Sequence, residues 1–413
     1  MTIVVQAPDT YATERRYVLD VVLSEWLGLD YAVAFGKVRY VAIRLAADPS
    51  TTELSMPDVL FATPLDGWLT ESAMPDRPLA RLQMAGRAPG QTDFSDSATS
   101  PAQAPTLPVI FGTPAADGLA WRRTAMGASL SIDVFGSVFF LLSRYEEVVL
   151  KDRDIHERFP SSASLAVAEG FLDRPIVDEY VDLLWTAMQS LWPALTRRPS
   201  TFRFRPTHDV DLTWAGLAHR ALIGDLLRRH DPVLAGNRLR AFVDVWQGRV
   251  DNDPFNTFDF LMETSERWAL RSTFYFRVRG TRGDARCRYR LLDQPVADLL
   301  RRIHVRGHDI GLHASYESYR SADRIAEELL ELQTACRRIG FEQAQWGVRQ
   351  HFLRLDVPLT WRCHEAAGLD HDSTLGYADR VGFRAGTSRE YPLFDLVARQ
   401  RLRLRERRDP LDS

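Results

Sequence analysis

The second half of this chain alternates between two kinds of segment, and that alternation constrains its fold most. Five short strand-like runs, FRFRPTHDVD, STFYFRV, HDIGLHA, WGVRQHF and HDSTLGY, are separated by longer stretches of helical period such as IAEELLELQTACRRIG. Repeated strand and helix units of this kind imply a mainly parallel sheet or an α/β barrel. The pattern starts after the segment PALTRRPS, and a chain of 413 residues exceeds what one hydrophobic core usually organises. Two structural units are therefore expected, residues 1–200 and residues 201–413.

The first unit reads as a smaller α+β domain. Apolar spacing is helical from Thr10 to Leu27 and alternates like a strand from Val38 to Ala46. The stretch from Met84 to Pro108 is rich in Pro, Gly, Ser, Thr and Ala without periodicity, and is expected as an exposed loop. DVFGSVFFLLSRYEEVV reads as a mostly apolar helix or another buried segment, and Pro175 to Trp192 carries helical spacing behind a proline start.

Composition excludes several classes of function. Lys plus Arg number 52 against 55 Asp plus Glu, a net charge of -3, so no overall field would grip nucleic acid. The basic cluster from Arg399 to Arg408 is interleaved with Leu rather than with stacking aromatics, and reads as a solvated tail. Cys287, Cys336 and Cys363 are widely spaced and form no CxxC pair, which speaks against a disulfide framework and a thiolate zinc site. The N-terminus lacks the features of a signal peptide, and there is no apolar run of about 18 residues. A cytoplasmic protein without a transmembrane segment is expected.

In an α/β barrel the catalytic groups sit where strands end. The first run delivers His208, Asp209 and Asp211, two carboxylates with similar side-chain direction. One could hold a metal while the other moves protons, although in isolation such acids serve equally well as caps of the next turn. His313 follows a glycine at the end of an apolar run, where a neutral imidazole suits a divalent ion. WGVRQHF brings Arg349, able to hold a carboxylate, and His351, a further nitrogen ligand. The conjunction of these residues at successive strand-like segments is how a barrel gathers a mixed oxygen and nitrogen metal site.

THDVD, GHDIGLHAS, RQHFL and GLDHDSTLGYADRVGFRAGTSREYPLFDL resemble the motifs of the NodB-type polysaccharide deacetylases, carbohydrate esterase family 4. The resemblance covers about the last half of the chain and implies a NodB-like distorted (β/α)7 barrel. The first 200 residues resemble the uncharacterised region joined to such domains in a bacterial subgroup. By this resemblance Asp209 matches the general base, Asp211 the metal-binding acid, His313 the first metal histidine and Arg349 the arginine that orients the base. Phe352 would supply a backbone N–H near the oxyanion, and Asp372, Tyr377 and Arg384 would line the substrate cleft. The implied cofactor is a divalent metal, zinc first, with cobalt, nickel and manganese also compatible.

The chain departs from the family pattern in two places. Where a second metal histidine is usual stands Glu317, so either His351 or Glu317 must take its place, with His351 preferred. The family also closes its barrel with a strand bearing a general-acid histidine, yet no histidine follows His371. His208 and His371 are the nearby substitutes, and His208 should point to the opposite face from Asp209. The tail LRLRERRDPLDS reads as charged and frayed, which would leave the barrel one strand short with an unpaired edge. The resemblance implies a metal-dependent hydrolase removing N-acetyl groups from amino sugars of a bacterial surface polysaccharide or its precursor, with an acetylated saccharide as substrate. Two other readings stay open: a catalytically impaired carbohydrate-binding relative, and a metal-dependent hydrolase of other C–N bonds.

Overall fold

The computed structural model describes residues 1–46, 52–83, 106–115, 118–199, 201, 203–213, 256–279 and 289–407, with isolated positions between 233 and 253. Most of the Met84–Pro108 stretch expected as a loop lies outside the described residues; its last three form a strand.

A first sheet is built within residues 2–130. Strand β1 (Thr2–Pro8) buries Ile3, Val5 and Ala7 at alternate positions, the period of a strand with one face on a core. Helix α1 (Ala12–Leu19) continues as a π-helical segment (Asp20–Trp26) and leads to β2 (Asp30–Gly36), parallel to β1. Strands β3 (Tyr40–Leu45) and β4 (Glu53–Pro57) follow antiparallel, with a short separate pair β5 (Arg81–Gln83) and β6 (Thr106–Pro108). The hairpin β7 (Trp121–Thr124) and β8 (Gly127–Leu130) completes the order β2-β1-β3-β4-β8-β7. Helix α2 (Val134–Leu142) is buried at every position, consistent with a sequence that is apolar on all sides apart from Ser137. Helices α3 (Tyr145–Val149), α4 (Leu165–Ala168) and α5 (Ile176–Leu191) follow.

The second sheet carries the motifs. Strands β9 (Thr207–Val210), β10 (Thr273–Phe276), β11 (Asp309–Ala314), β12 (Gly347–Gln350) and β13 (His371–Asp372) run parallel. Described helices α6 (Phe258–Arg267), α7 (Gln294–Val305), α8 (Ala322–Ile339) and α9 (Leu359–Ala366) precede β10 to β13 in turn. Strands β10 and β12 are buried throughout, as expected of a parallel sheet covered on both faces. Helix α8 buries Ile325, Leu329, Leu332, Cys336 and Ile339, a stripe of helical period, and ends at Gly340 in the left-handed region (φ 105°). Among the described residues no helix is long and apolar enough to cross a membrane.

The C-terminal end differs from the sequence expectation. Residues 400–406 are not a frayed tail: they form β15 (Gln400–Glu406), parallel to β13 and antiparallel to β14 (Tyr391–Asp395). The alternation of Leu with Arg is a strand period in which Leu402 and Leu404 point inward. The order is β14-β15-β13-β12-β11-β10-β9, a seven-stranded mixed sheet in which β9 and β14 are the edges. The chain is mixed α/β as expected, and its last strand lies inside the sheet.

Buried polar contacts tie the two sheets' surroundings together. Arg384 donates two hydrogen bonds to Glu147, at 2.8 and 2.6 Å, and Arg144 binds the same carboxylate at 2.8 Å. Tyr17 Oη donates to Pro392 O (2.7 Å) and Trp26 Nε1 to Glu390 O (3.1 Å).

Because Leu404 is fully buried within an inner strand, Leu404→Ala is expected to lower the unfolding free energy by about 2–5 kcal/mol in urea titration. A change below about 0.5 kcal/mol, the range of ordinary surface substitutions, would contradict this placement.

Candidate metal centre

Parallel pairing converts the sequence motifs into one site. Asp209 lies on β9 and Asp211 directly after it, so the two carboxylates leave the same face. Across the sheet Asp209 is level with Tyr275, and His313 on β11 is level with Arg349 on β12. His351 follows at the start of a short 3-10 turn. Two glycines make room beneath these groups. A Cβ on Gly311 would stand 2.4 Å from Tyr275 Cδ1, and one on Gly347 only 2.1 Å from His371 Nε2.

Three ligand atoms converge. Asp211 Oδ1 is 3.6 Å from His313 Nε2 and 3.6 Å from His351 Nδ1, and the two nitrogens are 3.0 Å apart. Ligands held about 2.0–2.1 Å from one ion at angles of about 90–120° are separated by roughly 2.9–3.6 Å, so the triangle suits one divalent ion. His313 Nδ1 is 2.9 Å from Arg349 O. A carbonyl can only accept, so Nδ1 carries the proton and Nε2 presents its lone pair to the cluster. Burial, then His313 and Arg277, push the His351 imidazolium down to about 3. Its ring is therefore neutral near pH 7, as ligation requires. The buried His351 Nε2 has no hydrogen-bond partner among the described residues, so bonds to protein on that side do not determine which nitrogen bears hydrogen.

Asp209 stands beside this triangle and is oriented by Arg349. Arg349 Nη1 lies 3.3 Å from Asp209 Oδ1, and Asp209 Oδ2 is 3.9 Å from His313 Nε2. Arg349 is itself fixed by Thr207 Oγ1 (2.8 Å) and by Ser373 Oγ (3.1 Å), with its guanidinium 5.1 Å from the Tyr275 ring centroid. Sequence reasoning missed Thr207, Tyr275 and Ser373. For Thr207 the available signal was its position two residues before Asp209 on the same strand-like run. It also missed the buried Arg277, whose Nη1 is 3.5 Å from Asp211 Oδ1.

The other expected site residues are distributed unevenly. Phe352, 36% exposed, packs its ring edge-on to His351 at 4.7 Å. Glu317, the alternative third ligand, is not in the cluster. Asp372 is fully buried: burial raises its pKa, but His364 and Thr374 outweigh that and hold it below the usual carboxylate range. Tyr377 is buried under Arg384, 4.7 Å from its guanidinium, and Arg384 is taken up by Glu147 and Gly376 O. These three side chains are thus held in buried contacts rather than brought to the metal cluster. His208 packs tilted against Phe274 with ring centroids 4.7 Å apart, and His371 lies against Gly347 with Nδ1 3.5 Å from Arg407.

Residues 3–193 match a family of unknown function, DUF7033. A crystal structure from Mycobacterium smegmatis, of a protein provisionally named a polysaccharide deacetylase, is similar with a TM-score of 0.30 and 16% identity. The match covers 51% of this chain and 61% of that one. No curated protein matches the chain.

Proposed function

We propose that Asp211, His313 and His351 hold one divalent metal ion, and that the protein is a hydrolase removing N-acetyl groups from amino sugars of a bacterial surface polysaccharide or its precursor. The observation that carries this reading is the convergence of three ligand atoms beside an arginine-held carboxylate. Two imidazoles and a carboxylate suit zinc best, with cobalt, nickel or manganese as alternatives. The sequence resemblance to NodB-type deacetylases supports the same chemistry. In this reading residues 201–413 are the deacetylase-like unit, its open mixed sheet standing in for the distorted (β/α)7 barrel that the resemblance implies, and residues 1–200 are a smaller α+β unit packed against it.

Held by Asp211, His313 and His351, an ion of this kind would polarise an acetyl carbonyl and lower the pKa of water at the site. Asp209, on the His313 side of the cluster, takes the proton of the attacking water at Oδ2. Arg349 engages Oδ1, which leaves Oδ2 facing the cluster. The amine must gain a proton to leave, and the carboxylic acid formed at Asp209 can return the one it took. Asp211, with 54% of its side chain exposed, marks the side open to substrate.

One observation favours the second reading, a saccharide-binding relative without turnover: Arg277, 3.5 Å from Asp211, can neutralise that carboxylate without a metal.

Elemental analysis separates the two. Purified protein should hold near one equivalent of metal, lost in folded Asp211→Ala and His313→Ala variants. A folded wild type that takes up no metal after incubation with zinc or cobalt would contradict the hydrolase reading. Asp209→Asn should keep the metal while acetate release from N-acetylglucosamine oligosaccharides falls at least about 100-fold, the range of a lost general base. Undiminished acetate release in this variant would exclude Asp209 as the base.

A further inference from the structure

The metal ligand His351 opens a segment in an unfavourable backbone conformation. Phe352 (φ 62°) and Leu353 (φ 51°) both lie in the left-handed region that side-chain-bearing residues avoid. Two such residues in succession persist only where their surroundings over-determine them, and here they directly follow a ligand.

Tyr316 packs against Phe352 at 5.5 Å between ring centroids, and further contacts that hold the segment come from the N-terminal region. Arg158 Nη1 donates to Phe352 O at 2.8 Å. Its guanidinium is pinned in turn by Asp154, which accepts from Arg158 Nε (2.8 Å) and from the backbone N–H of His156 (2.8 Å) and Arg158 (3.0 Å). At the other end of the segment the buried Arg354 reaches back to the same turn. It donates to His156 O (2.8 Å), Glu157 Oε2 (2.7 Å) and Tyr316 O (2.6 Å). The His156 ring lies 4.9 Å from that of Phe352, and its Nδ1 is 3.0 Å from Tyr316 Oη. The turn at residues 154–158 therefore grips the segment at Phe352 and at Arg354, directly after the residue whose nitrogen completes the ligand triangle.

We infer that this turn of the N-terminal region is a brace for the metal site, with Arg158 as a positioning residue that holds His351 Nδ1 toward His313 and Asp211. The region matched to the family of unknown function thereby braces a ligand supplied by the rest of the chain. The inference rests on the metal-binding reading above. It concerns geometry rather than chemistry, since Arg158 touches neither metal nor substrate.

The test is zinc affinity of the full chain by chelator competition, with thermal unfolding of the metal-free protein as a check on folding. Arg158→Ala should weaken zinc binding about 10-fold or more, the range seen when an outer-shell partner of a metal ligand is lost. Arg158→Lys, which keeps a donor toward Phe352 O, should recover part of the loss. In a His351→Ala background, Arg158→Ala should change affinity less than about 2-fold, because the brace acts through His351. Arg158→Gln run in parallel keeps the question answerable if the alanine variant misfolds. Unchanged affinity in the folded Arg158 variants, or an equal loss with and without His351, would overturn the brace while leaving the metal site standing. A wild type that binds no zinc would overturn both.

Discussion

The register between β11 and β12 sets His313 level with Arg349, and much of the site follows from that pairing. It places the Arg349 carbonyl where it fixes the His313 tautomer, while the Arg349 side chain turns toward Asp209. One residue thus serves two neighbours, through its backbone for the imidazole and through its guanidinium for the carboxylate. A slip of either strand by one residue would turn that strand's side chain to the other face of the sheet and part the pair. Gly311 and Gly347 are part of the same constraint, because the rings of Tyr275 and His371 occupy the space where their Cβ atoms would stand.

A second constraint lies between the sheets. Glu147, Arg144 and Arg384 are buried together, and although burial favours the neutral acid, Arg384 and Arg144 hold Glu147 below the usual carboxylate range. Buried charges are tolerated only when paired and hydrogen-bonded, so this network fixes how residues 144–147 meet residues 376–384. The turn at residues 154–158 follows shortly after on the same stretch of chain and reaches the His351 segment. The N-terminal region is thereby held against the loops around the candidate metal site at more than one point.

Much of the site was legible because a strand has a period of two: Asp209 and Asp211, His313, and Arg349 with His351 stand out at or just beyond the ends of short apolar runs. Their convergence follows from pairing β9, β10, β11 and β12 in order, which the strand and helix alternation already implies. Asp372, Tyr377 and Arg384 could not be placed that way. The acid that takes up Arg384 lies 237 residues away, and nothing local announces it. β15 escaped notice because its arginines read as a charged tail, although Leu402 and Leu404 keep the strand period. The backbone at Phe352 and Leu353 is equally silent in sequence, since neither residue type announces a positive φ.

Zinc-edge X-ray absorption on the zinc-loaded protein tests the central claim most directly. The account predicts two imidazole nitrogens, with oxygen from Asp211 and solvent completing the sphere, at about 2.0–2.1 Å, and loss of one imidazole in His351→Ala. A sulfur shell near 2.3 Å, or an imidazole count unchanged in that variant, would contradict it.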